Sequence, residues 1–214
     1  KSILRTLPIT HKDITITTLP MSYTFGMSII NTHISKNSTI ILNNNSIIQK
    51  NFWEIFSKEK ITCLYGVPFT FEMLDKVNFF DKNHNYINFL AQAGGSLNYK
   101  LHKKINKFSI SNKIKFFSMY GQAEASTRIS CLNNNLSNDK IGSIGKVIPG
   151  GKMWLQSKSG KVINKNNSIG HLHYKGKNVC MGYSDNLDDL KKGYEWQYLN
   201  TVIWEEGITK ATTI

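Results

Sequence analysis

Arginine is nearly absent from this sequence, although the chain is strongly basic. The formal net charge is +13, yet of the 27 Lys and Arg residues only Arg5 and Arg128 are arginines. Nucleic-acid interfaces favour arginine, because its guanidinium group binds phosphates and base edges through paired hydrogen bonds. The lysines are also scattered among Asn and Ile without an interleaved aromatic stripe. The sequence therefore favours solvated lysine-rich faces, with a nucleic-acid-binding surface as the alternative.

Cysteine and long apolar runs are also scarce. Cys63, Cys131 and Cys180 are far apart and odd in number, so they predict neither a disulfide framework nor a metal cluster. This usage favours a reducing, cytoplasmic location. No apolar run approaches the roughly 18 residues of a membrane helix. Residues 1–5 contain neither an initiator Met nor a signal-peptide core. We therefore expect no membrane span and a chain that either begins after a trimmed segment or is a fragment of a longer protein.

The first two-thirds of the chain alternate short β-type segments with helical periodicity. The predicted strands are 14–18, 38–42, 61–65, 88–93 and 113–119. The predicted helices are 26–35, about 48–60 with a stripe of Ile48, Phe52, Ile55 and Phe56, 68–76 starting at Pro68, and a helix N-capped by Ser96 with Leu97, Leu101, Ile105 and Phe108 on its apolar face. This alternation predicts an α/β fold with a largely parallel sheet and flanking helices.

After about Asp139 the pattern changes. Frequent glycines separate short strand-like segments such as 152–156 and 171–175. This pattern predicts a second, smaller, β-rich subdomain that follows the α/β part.

Two of the predicted strands end in loops suited to binding a nucleotide. One runs into Ala93-Gly94-Gly95-Ser96, where paired glycines let the backbone lie against a flat ring or a phosphate. The other runs into Tyr120-Gly121-Gln122-Ala123-Glu124, which combines an aromatic ring, a glycine and a carboxylate suited to a divalent cation. Each loop alone also fits a simple turn. Because ligands bind beyond the carboxyl ends of parallel strands, the two loops together indicate a binding site.

Six segments of the chain, in order, resemble motifs of the superfamily of acyl-CoA synthetases, luciferases and nonribosomal-peptide adenylation domains. They are Leu19–Gly26, Gly66–Pro68, Ala93–Leu97, Tyr120–Glu124, Lys140–Gly150 and Gly176–Tyr183. Tyr120–Glu124 resembles the signature Tyr-Gly-x-Thr-Glu, and the similarity extends over nearly all of residues 1–201. The resemblance implies an adenylate-forming ligase, which uses ATP to convert a carboxylic acid into an acyl-adenylate.

The resemblance also implies a role for each matching residue. The residues implied to line the acid pocket are Tyr23, Phe25, Gly26, Val67 and Pro68. The residues implied to bind the nucleotide are Gly94, Gly95, Ser96, Tyr120, Gly121 and Gln122, with Tyr120 stacked on adenine. Glu124 is the implied catalytic and metal-binding residue, which would help to hold Mg²⁺ between the phosphates. The implied acceptor is the thiol of coenzyme A or of phosphopantetheine on an acyl carrier protein. Which of the two it is, and which acid is activated, stay open.

Two substitutions depart from the family pattern. Ala123 replaces the threonine before the metal-binding Glu and so lacks a hydroxyl that would bond the α-phosphate. His171 replaces a glutamate, and it would share one face of a strand with His173. A surface pair of histidines is favoured there over a metal site, because no third ligand is near in sequence.

Larger parts of the family pattern have no counterpart in this sequence. They are the phosphate-binding loop, the Thr-Gly-Asp motif and the mobile C-terminal domain. We therefore expect an α/β part at 1–139, a β-rich part at 140–201 and an unmatched tail at 202–214, as a frameshift after Thr201 would produce. We expect an internal fragment that alone binds nucleotide weakly at most. The alternative is a noncatalytic domain that acts only by binding.

Overall fold

The computed structural model describes residues 1–133, 140–165, 168–192 and 198–201. The described α-helices are Ser2–Thr6 (α1), Thr24–Ile34 (α2), Lys50–Lys58 (α3), Pro68–Lys76 (α4), Tyr99–Ser111 (α5) and Leu187–Lys191 (α6), with 3₁₀ turns at Phe79–Asp81 and Ala123–Ala125. The described strands are Ile14–Ile16 (β1), Thr39–Ile41 (β2), Cys63–Gly66 (β3), Phe89–Gln92 (β4), Lys115–Tyr120 (β5), Ser130–Asn133 (β6), Lys146–Val147 (β7), Lys152–Gln156 (β8), Val162–Ile163 (β9), His171–Lys175 (β10) and Leu199–Thr201 (β11). Among these helices, none combines the length and apolar character that crossing a bilayer requires.

The larger sheet of the described residues has the strand order β2-β1-β3-β4-β5-β6-β7. Each neighbouring pair from β2 to β5 is parallel, whereas β6 and β7 join as antiparallel strands. Helices connect the parallel strands, as crossover connections require. The predicted α/β fold with a largely parallel sheet is confirmed.

A smaller antiparallel sheet follows, with the order β11-β10-β8-β9. This confirms the predicted β-rich part, and β8 and β10 occupy the residues predicted for them. Strand β7 still pairs with β6, so the larger sheet continues beyond residue 140. The division into 1–139 and 140–201 stays a prediction, and the tail 202–214 lies outside the described residues.

The central strands of the larger sheet are buried on both faces, because helices cover the sheet on both sides. On one face Leu64, Leu90 and Phe116 pack against apolar side chains of α3, α4 and α5. On the other face Tyr65 and Phe117 pack with residues of α1 and α2. This double burial fixes the strands at the centre of the molecule, where their carboxyl ends meet at a single edge.

Two details of the predicted helices differ from the structure. Ser96 is not the N-cap of α5; Asn98 is, because its side chain accepts a hydrogen bond from the backbone N–H three residues later at 2.9 Å. Both residue types are good caps, but Leu97 packs into the core before the helix begins, which leaves Ser96 in the loop. Ile48 lies before α3 and is 62% exposed, so it is not part of the apolar stripe of that helix.

Two of the buried histidines, His33 and His102, pack beside strands of the larger sheet. The Nε2 atom of His33 lies 3.0 Å from the hydroxyl of Tyr65, and His102 packs edge-on against Phe116. Burial disfavours the charged imidazolium and lowers the pKa of each to about 4. For His33, the nearby Arg128 lowers the pKa further and Asp13 opposes the shift.

We predict that acid destabilises the fold between pH 6.5 and pH 4. The folded pKa of both histidines, about 4, lies below the ordinary value of 6.5. The unfolded chain therefore binds more protons in this range, and the free energy of unfolding falls as the pH falls. Each histidine contributes up to about 3 kcal/mol of this loss. Urea unfolding at several pH values measures how the free energy of unfolding depends on pH. This dependence on pH should be shallower for His33→Gln and His102→Gln. The exposed His11→Gln is the control, and an unchanged slope in the buried variants would contradict the prediction.

Candidate functional site

The carboxyl ends of β3, β4 and β5 lead into three of the loops highlighted by the sequence. In the parallel register Gly66 of β3 is opposite Gln92 of β4, and Gln92 is opposite Ser118 of β5. The chain then enters Gly66–Pro68, Gly94–Ser96 and Gly121–Glu124 at the same edge of the sheet. This edge is where parallel sheets bind ligands. The predicted nucleotide loops are thus neighbours in the structure.

The buried amide of Gln92 connects two of these loops. Its side chain is 1% exposed, and its Nε2 atom donates to the backbone carbonyl of Gly95 at 2.6 Å. The hydroxyl of Ser118, at the end of β5, donates to the Oε1 atom of Gln92 at 3.1 Å. Buried polar groups are costly unless they are paired, so these bonds fix the position of the glycine loop relative to β5.

The glycine loop also contacts the predicted acid pocket. Gly94 has φ +85°, and a Cβ atom there would lie 2.7 Å from the hydroxyl of Tyr23 and 3.1 Å from Val67 Cγ1. A Cβ atom on Gly95 would lie 3.0 Å from Pro68 Cγ. Gly94, Gly95 and Ser96 are themselves exposed. Three of the predicted acid-pocket residues therefore adjoin the predicted nucleotide loop, as a shared site requires.

The remaining predicted acid-pocket residues lie at the start of α2. A Cβ atom on Gly26 would lie 2.2 Å from the carbonyl oxygen of Pro20, so only glycine fits this close approach. Phe25 is 1% exposed and packs edge-on between Tyr23, at 6.5 Å, and Tyr65, at 6.3 Å. The buried Phe25 ring therefore packs against the half-exposed Tyr23 and supports it.

The loop after β5 folds tightly back on itself. A Cβ atom on Gly121 would lie 1.7 Å from the carbonyl oxygen of Thr127, which makes glycine necessary there. Ser126 and Thr127 both have positive φ, at +59° and +64°. This conformation is strained for a β-branched residue. Next to this turn, Gln122 Nε2 donates to the hydroxyl of the partly buried Tyr120 at 3.2 Å.

The segment that follows β10 supports the loop that carries Glu124. The N–H of Cys180 donates to the backbone carbonyl of Glu124 at 2.7 Å, and the hydroxyl of Tyr183 donates to its carboxylate Oε1. Asn178 donates to the carbonyl of Ala125 at 2.6 Å. The hydrogen bond to Glu124 raises the pKa of Tyr183, because the carboxylate favours the protonated phenol. The loop after β5 and the segment after β10 therefore position the carboxylate together.

Sequence reasoning missed Asn178 and Tyr183 as supports of Glu124. Both lie in the segment Gly176–Tyr183, whose resemblance to the family was noted without any role. These hydrogen bonds join residues that are more than 50 positions apart in the chain. Such distant contacts produce no periodic pattern from which a single sequence could predict them.

A third residue overlooked as part of the site is Arg128. Its side chain is 1% exposed and donates to the carbonyl of Ser28 in α2 at 2.8 Å. Its guanidinium carbon lies 5.7 Å from the centre of the Phe25 ring. The signal in the sequence was the rarity of arginine, because Arg128 is one of two arginines among 27 Lys and Arg residues.

The prediction that His171 and His173 form a surface pair is wrong. His171 is exposed, but His173 is 5% exposed and stacks on Trp154 with ring centres 5.4 Å apart. Tyr198 covers it at 5.3 Å. Aromatic packing in the smaller sheet holds His173, and no potential metal site of three His, Cys, Asp or Glu residues occurs in the described part of the chain.

The arrangement at Glu124 fits a magnesium ion that is shared with a nucleotide. Mg²⁺ commonly binds one or two protein carboxylates and completes its shell with phosphate oxygens and water. Glu124 is a single carboxylate in the loop that follows β5, so such a site would take its remaining ligands from phosphate and water. A site made of protein ligands alone would need several more.

The comparisons with known proteins agree with this geometry. The sequence pattern of the AMP-binding enzymes matches residues 2–184. The chain belongs to this family. No curated protein matches the sequence.

Solved structures share the fold of this AMP-binding chain at low sequence identity. The o-succinylbenzoate CoA synthetase (MenE) of Bacillus subtilis matches with TM-score 0.79 and 20% identity over 94% of this chain and 40% of that one. The N-terminal domain of FACL13 from Mycobacterium tuberculosis matches with TM-score 0.77 and 16% identity, over 96% of this chain and 52% of that one. McyG A-PCP matches with TM-score 0.74 and 16% identity, over 94% of this chain and 39% of that one. The chain thus spans less than half the length of MenE and McyG A-PCP.

We predict that Gln92→Leu destabilises the AMP-binding fold by about 1–3 kcal/mol, because the carbonyl of Gly95 and the hydroxyl of Ser118 lose their buried partner. Leucine keeps most of the volume, so the loss reports hydrogen bonding. Ser118→Ala is the matched variant and should cost less, since only one bond is removed. Urea unfolding measures both, and equal stability of Gln92→Leu and the unmodified chain would contradict the assignment.

Proposed function

We propose that the protein containing this chain uses ATP to convert a carboxylic acid into an acyl-adenylate. The observation that carries the proposal is the meeting of the Gly94-Gly95 loop, the Tyr120-to-Glu124 loop and Tyr23 at one edge of the sheet. Membership of the AMP-binding family supports it. Solved relatives also support it, since MenE was captured with ATP and magnesium and with the acyl-adenylate intermediate OSB-AMP.

The proposal gives a role to residues of the two loops and to Tyr23. Tyr120 stacks on the adenine, and the exposed backbone of Gly94 and Gly95 lies against the ring, where a Cβ atom would intrude. Gly121 and Gln122 border the nucleotide and the acid. Tyr23 faces the acid from the start of α2.

The proposed reaction is an in-line displacement at the α-phosphorus of ATP. A carboxylate oxygen of the acid forms the new bond to phosphorus, the bond to the bridging oxygen breaks, and pyrophosphate leaves with both electrons. Such a transfer depends on positioning and charge neutralisation and needs no protein nucleophile. Glu124 would hold Mg²⁺, which neutralises the phosphates when bound. The tight turn at Gly121 fixes the distance between Tyr120 and Glu124.

The second half-reaction is proposed from the relatives alone. MenE was solved with the product analogue OSB-NCoA, and McyG as an A-PCP protein with phenylalanyl-adenylate. We propose a thiol acceptor, either coenzyme A or a phosphopantetheine-bearing carrier protein. Either choice leaves the roles of Tyr120 and Glu124 unchanged.

We predict acid-dependent exchange of pyrophosphate into ATP by the full-length protein with a panel of carboxylic acids. Glu124→Gln should lower the exchange rate about 10²-fold, because one charged group opposite the phosphates is lost. Tyr120→Ala should raise the KM for ATP about tenfold, in line with the loss of one base–aromatic stack. The exposed residues of matching type, Glu54→Gln and Tyr86→Ala, are the controls.

Three outcomes of this experiment separate the candidate functions. Exchange that depends on Glu124 and Tyr120 supports adenylation. Binding of Mg²⁺–ATP without exchange for any acid would instead support a noncatalytic binding domain. Ala123 is consistent with that alternative, because it lacks the threonine hydroxyl that would bond the α-phosphate. Exchange unaffected by either substitution would overturn the site assignment.

A further inference from the structure

Arg128 is a buried cation without a counter-charge among the described residues. Its side chain is 1% exposed, and none of the ion pairs in the described part of the chain includes it. Its Nε and Nη2 atoms donate to Ser28 and Thr32 in α2. Its Nη1 atom is buried and has no partner in the described structure. Two N–H donors of a charged group are therefore unused.

The neighbours of Arg128 do not neutralise it at physiological pH. Burial lowers the pKa of Arg128 to about 10, which still leaves the guanidinium charged. Burial raises the pKa of Tyr65 well above its ordinary value and that of Cys131 to about 12, so both groups are neutral. The carboxylate of Asp13 already accepts hydrogen bonds from Thr10, Thr62 and Asn88. An uncompensated buried charge is expensive, and a bound anion would offset that cost.

The position of Arg128 relates it to the proposed acid pocket. Its guanidinium lies over the ring of Phe25, which is packed against Tyr23. Tyr23 adjoins Gly94 where the pocket meets the nucleotide loop. Ser28, the main acceptor of Arg128, lies five residues beyond Tyr23, which is about 7.5 Å along the helix axis. Ser28 therefore holds the guanidinium beyond the start of α2, where Tyr23 adjoins the nucleotide loop.

The backbone immediately before the buried Arg128 is strained. Ser126 and Thr127 hold positive φ angles in succession, and the N–H of Arg128 donates to the carbonyl of Ser126 at 2.9 Å. Such strain persists where the surrounding structure requires it, and it is found most often at ligand sites. The same turn places Glu124 at the edge of the sheet and Arg128 in the interior.

We propose that Arg128 determines substrate specificity by binding the distal carboxylate of a dicarboxylic acid, whose other carboxylate is adenylated. This inference rests on the proposed function. The two N–H groups of Nη1 donate to the distal carboxylate, and Ser28 and Thr32 hold the guanidinium in place. A monocarboxylic acid of the same length leaves Arg128 without a counter-charge. The site therefore discriminates by charge, which separates two acids more strongly than a difference of one methylene.

The test compares matched acids in the pyrophosphate exchange assay with the full-length protein. The pairs are glutarate with valerate, adipate with hexanoate, and terephthalate with benzoate. The unmodified protein should show a kcat/KM at least tenfold higher for the dicarboxylic member of the pair that fits. In Arg128→Met this ratio should fall about 100-fold, and Arg128→Lys should restore part of it. Arg5→Met, which replaces an exposed arginine, should keep the ratio.

Two results in the exchange assay would overturn the proposal. The first is a preference of the unmodified protein for the monocarboxylic member of every pair. The second is an equal loss of exchange with both members in Arg128→Met, since that would place Arg128 at the reacting carboxylate or in a purely structural role.

A binding measurement separates failure of this inference from failure of the proposed function. Calorimetry with adipate, glutarate or terephthalate, without ATP, should show binding that Arg128→Met abolishes. Arg128-dependent binding without exchange would refute adenylation and leave the role of Arg128 intact. Exchange with no dependence on Arg128 would support adenylation and refute the proposed role of Arg128. Binding of none of these dicarboxylates would overturn the inference. The melting temperature of Arg128→Met should stay within a few degrees, because methionine fills the space without a buried charge.

Discussion

The parallel pairing of β4 with β5 is the constraint on which the candidate site depends. In a parallel pair, successive strands end at the same edge of the sheet, so the loops that follow them emerge side by side. The buried amide of Gln92 adds a local lock, because it donates to Gly95 and accepts from Ser118 at the end of the neighbouring strand. A glycine loop and an aromatic–carboxylate loop then share one surface, although 26 residues separate Gln92 from Ser118 in the chain.

The second constraint comes from the segment that follows β10. Its residues Asn178 and Tyr183 contact the 3₁₀ turn that carries Glu124, and its Cys180 N–H donates to the backbone carbonyl of Glu124. Two residues with positive φ, Ser126 and Thr127, directly follow this turn. The contacts with the segment after β10 offset this strain. The site is thus a product of the whole described fold, which explains why the AMP-binding pattern extends from residue 2 to residue 184.

Much of the fold followed from local patterns, whereas much of the site depended on long-range contacts. Pro68 predicted the start of α4, because the N–H that proline lacks is unneeded there. The choice between Ser96 and Asn98 as N-cap depended on the burial of Leu97, which local propensity does not reveal. The spacing of His171 and His173 suggested a surface pair, whereas Trp154 and Tyr198, both distant in the sequence, cover His173.

The central claim is that the loops after β4 and β5 form a single nucleotide site, and photolabelling tests it directly. The full-length protein would be irradiated with Mg²⁺ and 8-azido-ATP, and the labelled peptides identified by mass spectrometry. We expect labels at residues 93–97 and 120–124, both displaced by unlabelled ATP. ATP-displaceable labels confined to other parts of the chain would contradict the claim.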